Sequence, residues 1–379
     1  MQLSTAYSAS CGLKIHKPEV YDIFYPFVEE DFITIDTGNN NYGNWEEVIN
    51  LIYPYLHKKN ISIFQLGEKE SATIPNVNRT NGALLPNQKS YLIKKSKLHL
   101  SSNNYTAQVA AALNKQLICL VGHENQAIPF DWGDPDKYDF IYPNPDAPHE
   151  NFIKPEKIAQ LILNKLEIDF KYDYETVFIG DKYKDGIQFV EGYLSGPINL
   201  QKFNLQSFLI RTDLNFCEQK LQEQLQRGKA SIYCNQAINM DIIAGFKENI
   251  IEIIYEVKED NLNGEFCEKV QNLGIKCNLI SFLPEEEINS RKLEYMEMGN
   301  ILPQLDYSFD SLPNYKDLNI NELYFKSKRY IIKDDDVYLS QESLKKGIKS
   351  NHYTDIQKLV DGKNFWRTLD ALLILKKIN

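Results

Sequence analysis

The stretch LHLSSNNYTAQVAAALNKQLICLVGHE, from Leu98 to Glu124, decides the fold. It contains a short apolar segment, a polar loop with two adjacent asparagines, an alanine-rich run and a second apolar segment that ends in Gly-His-Glu. Two short apolar segments on either side of a run of strong helix formers are typical of a strand–helix–strand unit. The two strands of such a unit are parallel, and a right-handed crossover joins them. The stretch therefore predicts a parallel α/β sheet.

The same alternation of strand-like and helix-like segments continues on both sides of this stretch. The first half contains the strand-like runs Asp31–Asp36 and Ile61–Gly67, with a helical pattern that begins at Trp45. The second half shows the same alternation, with the strand-like runs ETVFIG, SFLIR, ASIYC, IIEIIYEV and IKCNLISF. We therefore predict an α/β fold with two Rossmann-like domains that face one another across a cleft, residues 1–170 and 171–320.

The tail, residues 321–379, differs from the two α/β regions. The run ELYFKSKRYIIKDDDVYLS predicts a β-hairpin that turns at Asp334–Asp336, and KNFWRTLDALLILKK predicts a closing amphipathic helix. The three aspartates invite comparison with metal-binding Asp-x-Asp motifs, but Asp favours turns, so a solvated turn is the preferred interpretation. No metal site is predicted, and the acidic residues between Asp131 and Asp139 lack the spacing of a calcium loop.

Composition excludes several classes of protein. The 379 residues are 43% apolar, enough to build cores, and carry 42 basic against 52 acidic side chains, a net charge of −10. A nucleic-acid partner is not expected, because such proteins show basic patches. The N-terminus lacks the pattern of a signal peptide, and no apolar run reaches the ~18 residues of a membrane span. With six scattered cysteines and no CxxC pair, we expect a cytoplasmic protein without an integral membrane segment, and peripheral association remains open.

The carboxyl ends of parallel strands are where open α/β sheets bind ligands. In the first domain the segments at these ends are Thr37–Asn44, Gly67–Lys69, Asn103–Gln108 and Gly122–Asn125. The loop at Asn103 leads into a helix, whose N-terminal N–H groups favour an anion; a plain helix N-cap is the equal alternative for its polar residues. The candidate binding residues from these loops are Gly38, Asn44, Gly67, Asn103, Asn104, Thr106, Gln108, Gly122 and Glu124.

Residues from about 31 to 165 resemble the nucleotide-sugar-binding half of the heptosyltransferases, glycosyltransferase family 9, which has the GT-B fold. The family opens this half with a strand, a Gly-containing loop and a helix that starts with Trp, here TIDTG with Gly38 and GNWEEV with Trp45. Its most specific motif is Asp-Ser/Thr-Gly-x-x-His-x-Ala-x-Ala, followed by a strand ending in Gly. Aligned on the alanines, this chain has Asn103 to Ala112 and then LICLVG.

The chain departs from this motif at its polar positions. Asn103, Asn104, Tyr105 and Gln108 stand where the family has Asp, Ser/Thr, Gly and His. Amides hydrogen-bond ribose, phosphate or sugar hydroxyls, but they neither carry charge nor act as a general base at pH 7. The order of the halves also differs, since the resembling half comes first here. The second domain is interpreted as the facing half in swapped order, with an unrelated module as the alternative.

An inverting sugar transfer needs a base near the acceptor hydroxyl and cationic or N–H groups at the leaving diphosphate. The carboxylate candidates for catalysis are Asp181 and Asp213, although Asp213 is more simply explained as a helix cap. Arg211 is a candidate diphosphate clamp, with a strand-end salt bridge as the equal alternative. His123 follows the last strand of the first domain and is the third catalytic candidate. Lys14, between Gly and Pro residues, is a candidate phosphate ligand.

The resemblance implies a glycosyltransferase of hexosyl or heptosyl type in polysaccharide biosynthesis. It implies a nucleotide sugar as substrate, a glycan or lipopolysaccharide-type acceptor, and no cofactor or metal. Two alternatives remain open. The chain can be a catalytically inactive protein that binds nucleotide sugars or carbohydrates, which the amide replacements favour, or a nucleotide-sugar epimerase on the same two-domain plan.

Overall fold

The computed structural model divides the chain into two compact units, Met1–Asp173 and Tyr174–Asn379. The structure describes residues 10–12, 18–26, 31–37, 44–66, 74–79, 84–121, 134–142, 153–191, 207–258, 261–291, 293, 295, 298–304, 306–351 and 355–378.

The first unit is built on one six-stranded sheet in which every pair of neighbours is parallel. Strand–helix alternation with parallel pairing confirms the prediction of a Rossmann-like first domain. In chain order its elements are β1 (Phe32–Asp36), α1 (Trp45–Lys58), β2 (Ser62–Gln65), β3 (Asn78–Arg79), α2 (Pro86–Lys95), β4 (His99–Ser102), α3 (Tyr105–Ala112), β5 (Leu117–Leu120), β6 (Tyr138–Ile141) and α4 (Pro155–Lys165).

The order of these strands across the sheet is β3-β2-β1-β4-β5-β6. The chain runs outward from β1 to β3 and then returns past β1 to build β4, β5 and β6 on the other side. The direction of winding thus reverses between β1 and β4. In open α/β sheets the carboxyl edge at such a reversal is the place where a crevice forms.

The two faces of this sheet pack differently. On one face Ile33, Ile35 and Leu100 are fully buried together with residues of α1 and α4. On the other face the small residues of α3 let that helix lie close to the sheet, because Ala107, Ala110 and Ala111 are fully buried there. The same face also carries a line of buried polar side chains on β1 and β4, namely Thr34, Asp36, His99 and Ser101.

The second unit combines an eight-stranded, mostly parallel sheet with a four-stranded antiparallel sheet. Its elements are β7 (Tyr174–Ile179), β8 (Gly186–Glu191), β9 (Phe208–Arg211), α5 (Glu218–Leu225), β10 (Ala230–Cys234), α6 (Met240–Gly245), β11 (Ile250–Val257), α7 (Gly264–Asn272), β12 (Lys276–Ser281), α8 (Glu285–Ser290), β13 (Asn300–Pro303), β14 (Leu323–Ser327), β15 (Arg329–Lys333), β16 (Asp336–Tyr338), α9 (Gln341–Lys346), β17 (Gln357–Lys358), α10 (Lys363–Trp366) and β18 (Leu372–Lys377).

The larger sheet has the order β13-β12-β11-β10-β9-β8-β15-β16. Strands β8 to β13 are parallel and follow one another in chain order, so this part of the sheet winds in a single direction. The later strand β15 joins the other side of β8, also in parallel. Successive right-handed crossovers in one direction place their helices on one face. That face holds the main core, in which Ile210, Ile232 and Ile253 are buried with Leu221 and Ile243 of the helices.

The tail joins both sheets of the second unit. The predicted hairpin is confirmed: β15 and β16 pair antiparallel around Asp334 and Asp335, whose φ values of 49° and 69° suit a tight two-residue turn. The predicted closing helix is wrong beyond Trp366. Residues Leu372–Leu375 are all buried, and β18 pairs on both sides, with β14 and β7. An amphipathic helix needs a solvated face, which this run does not have.

Gly180, at the end of β7, is required by the close approach of the chain before β18. Its N–H donates to the Leu372 carbonyl at 2.9 Å, and the N–H of Lys182 donates to the Asp370 carbonyl at 2.7 Å. A Cβ on Gly180 would overlap the main chain of Asp370. Only glycine therefore admits this contact between the end of β7 and the turn before β18.

We predict that Gly180→Ala lowers the free energy of unfolding by about 1–3 kcal/mol, because the methyl group forces two main-chain segments apart. Denaturant unfolding monitored by circular dichroism measures the change. The control is Gly245→Ala, since a Cβ at Gly245 meets no atom within 4 Å. Equal unfolding midpoints for the two variants would contradict the assigned contact.

Candidate functional site

The carboxyl edge of the first sheet brings together the ends of β1, β4 and β5. Asp36 lies opposite Ser101 in the parallel pair, and the Ser102 hydroxyl donates to the Thr37 carbonyl at 2.9 Å. The Asn103 N–H donates to the Leu120 carbonyl at 3.0 Å, so the chain leaves β4 and β5 side by side. The ends of β4 and β5 thus lie side by side at one edge, while the segment from Gly122 onward lies outside the described residues.

A network of side chains joins Asp36 to the start of α3. The buried Thr106 hydroxyl donates to Asp36 Oδ2 at 3.0 Å. The Ser101 hydroxyl lies 2.8 Å from the Asn104 side-chain oxygen and 3.2 Å from the Thr106 oxygen. Each hydroxyl has one proton, and the network is satisfied when Thr106 donates to Asp36 and Ser101 donates to Asn104. These bonds fix the position of the Asp36 carboxylate at the point where the sheet reverses.

Asn104 is the N-cap of α3, and this corrects the expectation that the start of α3 offers free N–H groups to an anion. Its side-chain oxygen accepts from the N–H groups of Thr106 and Ala107 at 3.0 and 3.2 Å. The N–H of Asn104 itself donates to the Ser102 carbonyl. The cap satisfies N–H groups that a phosphate would otherwise bind. The carboxamide N–H₂ group of Asn104 keeps its donors.

The other predicted binding residues of the first unit differ in their surroundings. Asn103 is half-buried, and its side chain forms no hydrogen bond with the described residues. Gln108 is exposed on α3, where it takes no part in the Asp36 network. Asn44 precedes α1 in a left-handed conformation with φ 43°, which Asn tolerates, and its side chain does not cap the helix. Lys14, Gly38, Gly67, Gly122, His123 and Glu124 lie outside the described residues.

Trp45 begins α1, the helix that follows β1 at the reversal point. The residue is 5% exposed, and its indole Nε1 has no hydrogen-bond partner within the described ranges. A buried indole N–H usually finds a partner. This indole N–H is therefore available to an additional acceptor.

His99 is the first residue of β4 and is fully buried. Its Nδ1 is 2.9 Å from the Thr34 hydroxyl, and its Nε2 has no partner in the described part of the chain. Burial lowers the pKa of His99 to about 4, and the nearby Asp36 charge offsets part of that effect. The imidazole is therefore neutral at neutral pH.

In the second unit Arg211 and Asp213 bind each other. The Arg211 Nε and Nη2 atoms donate to the two Asp213 oxygens, both at 2.7 Å, and each side chain is almost fully buried. Arg211 Nη1 donates to Gln188 at 2.8 Å, and the Gln341 carboxamide, with its oxygen turned to the guanidinium, accepts at 3.0 and 3.1 Å. The Tyr233 ring packs on the guanidinium, whose central carbon lies 4.6 Å from the ring centre.

This arrangement decides between the alternatives for these two residues. A guanidinium has five N–H donors, and here the protein itself accepts from all of them. Arg211 is thus the strand-end salt bridge rather than a free diphosphate clamp. The simpler explanation of Asp213 as a helix cap is wrong, because α5 begins after Cys217 and Asp213 binds Arg211 instead. Neither residue is available to a ligand in this conformation.

Asp181 and Arg211 follow or end strands of different sheets. Asp181 follows β7, which belongs to the antiparallel sheet, whereas Arg211 ends a strand of the parallel sheet. Asp181 is exposed. Sequence reasoning also missed Asp36, Ser101 and His99. Asp36 had a signal, as the polar residue that ends the apolar run FITID, but His99 had none.

Comparisons with known proteins add little to this geometry. No family model and no curated protein matches the chain. Among solved structures, E. coli heptosyltransferase WaaC with ADP is similar at a TM-score of 0.27 and 8% identity, covering 72% of this chain and 93% of that one. The glycosyltransferase SnogD from Streptomyces nogalater is similar at a TM-score of 0.25 and 9% identity, covering 73% of this chain and 88% of that one.

A D-isomer specific 2-hydroxyacid dehydrogenase from Lactobacillus delbrueckii ssp. bulgaricus, with NAD, gives a TM-score of 0.20 and 10% identity, covering 75% of this chain and 93% of that one. Glycosyltransferases and a dehydrogenase are thus matched at comparably low TM-scores and sequence identities. Likeness at this level carries no argument about the activity of this chain.

Among the described residues, no group of three or more His, Cys, Asp or Glu side chains is arranged to hold a metal ion. In the same ranges, no helix has the length and hydropathy needed to cross a bilayer.

We predict that His99 makes the protein sensitive to acid. Because its pKa is about 4 when folded and 6.5 when unfolded, the unfolded state takes up the proton first as pH falls. Stability is complete above pH 6.5 and falls by about 3 kcal/mol on acidification to pH 4. His99→Asn keeps a hydrogen-bonding side chain for the Thr34 hydroxyl but has no titrating group. Its free energy of unfolding, measured with denaturant, should therefore fall less between pH 6.5 and pH 4. His57→Asn, an exposed control on α1, should decline as the wild type does.

We predict that the Arg211–Asp213 pair is structural. Asp213→Ala leaves a buried cation unpaired and should lower the free energy of unfolding by about 3–5 kcal/mol. The double variant Arg211→Met, Asp213→Ala removes both charges and should recover part of that loss, measured by urea unfolding. The exposed Asp181→Ala is the control, expected to change stability by no more than about 0.5 kcal/mol. Additive losses in the double variant would contradict the pairing.

Proposed function

We propose that this chain is a glycosyltransferase that takes a sugar from a nucleotide-activated donor, with the nucleotide bound at the carboxyl edge of the first sheet. The acceptor is a glycan or lipopolysaccharide-type hydroxyl, and the reaction belongs to polysaccharide biosynthesis in the cytoplasm. The observation that carries the proposal is the reversal of strand order between β1 and β4, with Asp36 and Asn103 at the two strand ends.

The polar groups at this reversal suit a nucleotide. The Asp36 carboxylate is a strong acceptor for a ribose hydroxyl, and the side-chain amides of Asn103 and Asn104 are donors for a phosphate or a sugar hydroxyl. The indole N–H of Trp45, at the start of α1, has no partner among the described residues and is a donor for a phosphate oxygen. Since Asn104 caps α3, we place the diphosphate near Trp45 rather than at the start of α3.

The transfer step needs a base and no redox chemistry. The acceptor oxygen forms a bond to the anomeric carbon, the bond from that carbon to the diphosphate oxygen breaks, and the base takes the acceptor proton. The nucleoside diphosphate leaves with the bonding electrons. Both carboxylate oxygens of Asp213 accept from Arg211, and Asp181 is an exposed residue after β7. Of the three candidates we therefore propose His123 as the general base. It follows Val121 by two residues in the chain.

The proposal is tested with a panel of nucleoside diphosphates and nucleotide sugars. We expect one nucleotide to raise the melting temperature by ligand linkage and to bind in calorimetry. Asn103→Ala should weaken that binding by up to about tenfold, because it removes a hydrogen bond to a charged or polar ligand group. The exposed amide variant Asn164→Ala on α4 is the matched control and should bind as the wild type does.

The products then separate the three functions. Release of nucleoside diphosphate that depends on a glycan acceptor supports a transferase, and His123→Ala should reduce kcat with little change in nucleotide affinity. Interconversion of nucleotide sugars without release indicates an epimerase, whereas binding without either indicates a binding or assembly protein. If no nucleotide or nucleotide sugar binds, the site at the reversal is refuted in every form.

A further inference from the structure

A second polar site lies in the second unit, around the ring of Phe282. Lys258 follows β11, Phe282 follows β12 and Gln304 follows β13, so all three stand at the carboxyl edge of neighbouring parallel strands. The N–H of Phe282 donates to the Val257 carbonyl at 3.1 Å, and the N–H of Gln304 donates to the Ser281 carbonyl at 2.9 Å. These bonds extend the ladder past the strand ends and hold the three residues in register.

Two cations converge on this aromatic ring. The Arg367 guanidinium carbon lies 4.4 Å from the ring centre of Phe282, and the Lys258 ammonium lies 5.3 Å from the same centre. The quadrupole of an aromatic ring attracts cations. Two like charges at one ring repel each other; Glu256 and Asp306 offset part of that repulsion, and an oxyanion that contacts both cations would offset more of it.

Arg367 is held by a rigid part of the tail. The Gln304 side-chain amide donates to the Arg367 carbonyl at 3.1 Å, and the Arg367 N–H donates to the Lys363 carbonyl. The preceding residue, Trp366, is buried, and its indole N–H donates to Asp361 at 2.8 Å. The main chain that carries the Arg367 guanidinium is thus packed and hydrogen-bonded.

The donors of Arg367 are largely unused, in contrast with those of Arg211. Its Nε donates to Asp306 at 3.3 Å, and Asp306 is 68% exposed, so this is a weak surface pair. The two terminal N–H₂ groups have no hydrogen-bond partner among the described residues, although the side chain is only 19% exposed. Arg211, on the same unit, has every donor satisfied by protein groups.

Lys258 has spare donors as well. Its ammonium pairs with Glu256, a buried carboxylate that also accepts from the Tyr233 hydroxyl at 2.9 Å. An ammonium has three N–H donors, and the Lys258 side chain is 48% exposed, so a ligand can approach from solvent.

We propose that Arg367 and Lys258 form a binding site for an oxyanion, a phosphate or carboxylate group of a small ligand. The planar guanidinium fork of Arg367 matches two oxygens of such a group, and Lys258 adds a second charge. The site stands at the carboxyl edge of β11–β13, where parallel sheets bind ligands. It is made only of second-unit residues, so it does not depend on the proposed nucleotide site.

The test titrates the full-length protein by calorimetry with inorganic phosphate and, separately, with glucuronate. Glucose is the uncharged control, and chloride keeps the ionic strength constant. Binding of phosphate alone assigns the site to phosphate groups, and binding of glucuronate alone assigns it to sugar carboxylates. We expect Arg367→Gln to weaken the binding at least about tenfold, and Lys258→Gln to weaken it about three- to fivefold.

Three further variants make the result decisive. Lys247→Gln, which removes an exposed charge elsewhere on the unit, should bind as the wild type does. Arg367→Lys keeps the charge without the fork and should also bind more weakly, which tests the geometry if Arg367→Gln unfolds. Asn103→Ala should leave oxyanion binding unchanged, while Arg367→Gln should leave nucleotide binding to the first unit unchanged.

The proposal is overturned if neither anion binds, or if the Arg367 and Lys258 variants bind as tightly as the wild type. It is also overturned if Asn103→Ala abolishes the phosphate signal, because the anion then occupies the first unit. Failure of the nucleotide panel leaves this proposal standing, since the two titrations use different residues.

Discussion

The parallel pairing of β1 with β4 is the constraint on which the first unit depends. It brings Asp36 opposite Ser101 and makes the chain reverse its direction of winding at that point. The hydrogen bond from the Ser102 hydroxyl to the Thr37 carbonyl holds the two strand ends together. Without this pairing the polar residues of the edge would be separated, because they come from parts of the chain more than sixty residues apart.

Each unit treats its polar groups in two opposite ways. In some places the protein satisfies its own groups, as Arg211 does with Asp213 and as Asn104 does with the start of α3. In other places donors are left over, as with Arg367 and with the indole of Trp45. A buried polar group without a partner costs free energy. Groups of the second kind are therefore the better guides to a ligand.

The sequence predicted the first unit well because the decisive signals are local. Short apolar runs between helix formers predicted β4, α3 and β5, and the buried alanines of α3 confirmed close packing on the sheet. It predicted the tail less well. The run Leu372–Leu375 is apolar all round, a pattern that fits a buried helix or a central strand equally, and only pairing with β14 and β7 decides for the strand.

By itself the sequence determined the alternation of strands and helices, the parallel sheets and the loops at their carboxyl ends. Those features follow from apolar periodicity and turn residues, which act over a few positions. Only the tertiary structure decided that Arg211 binds Asp213, that Asn104 caps α3, and that Arg367 reaches the ring of Phe282. The reason is physical: a side chain has one set of donors and acceptors, and which neighbours use them depends on packing between segments far apart in the chain.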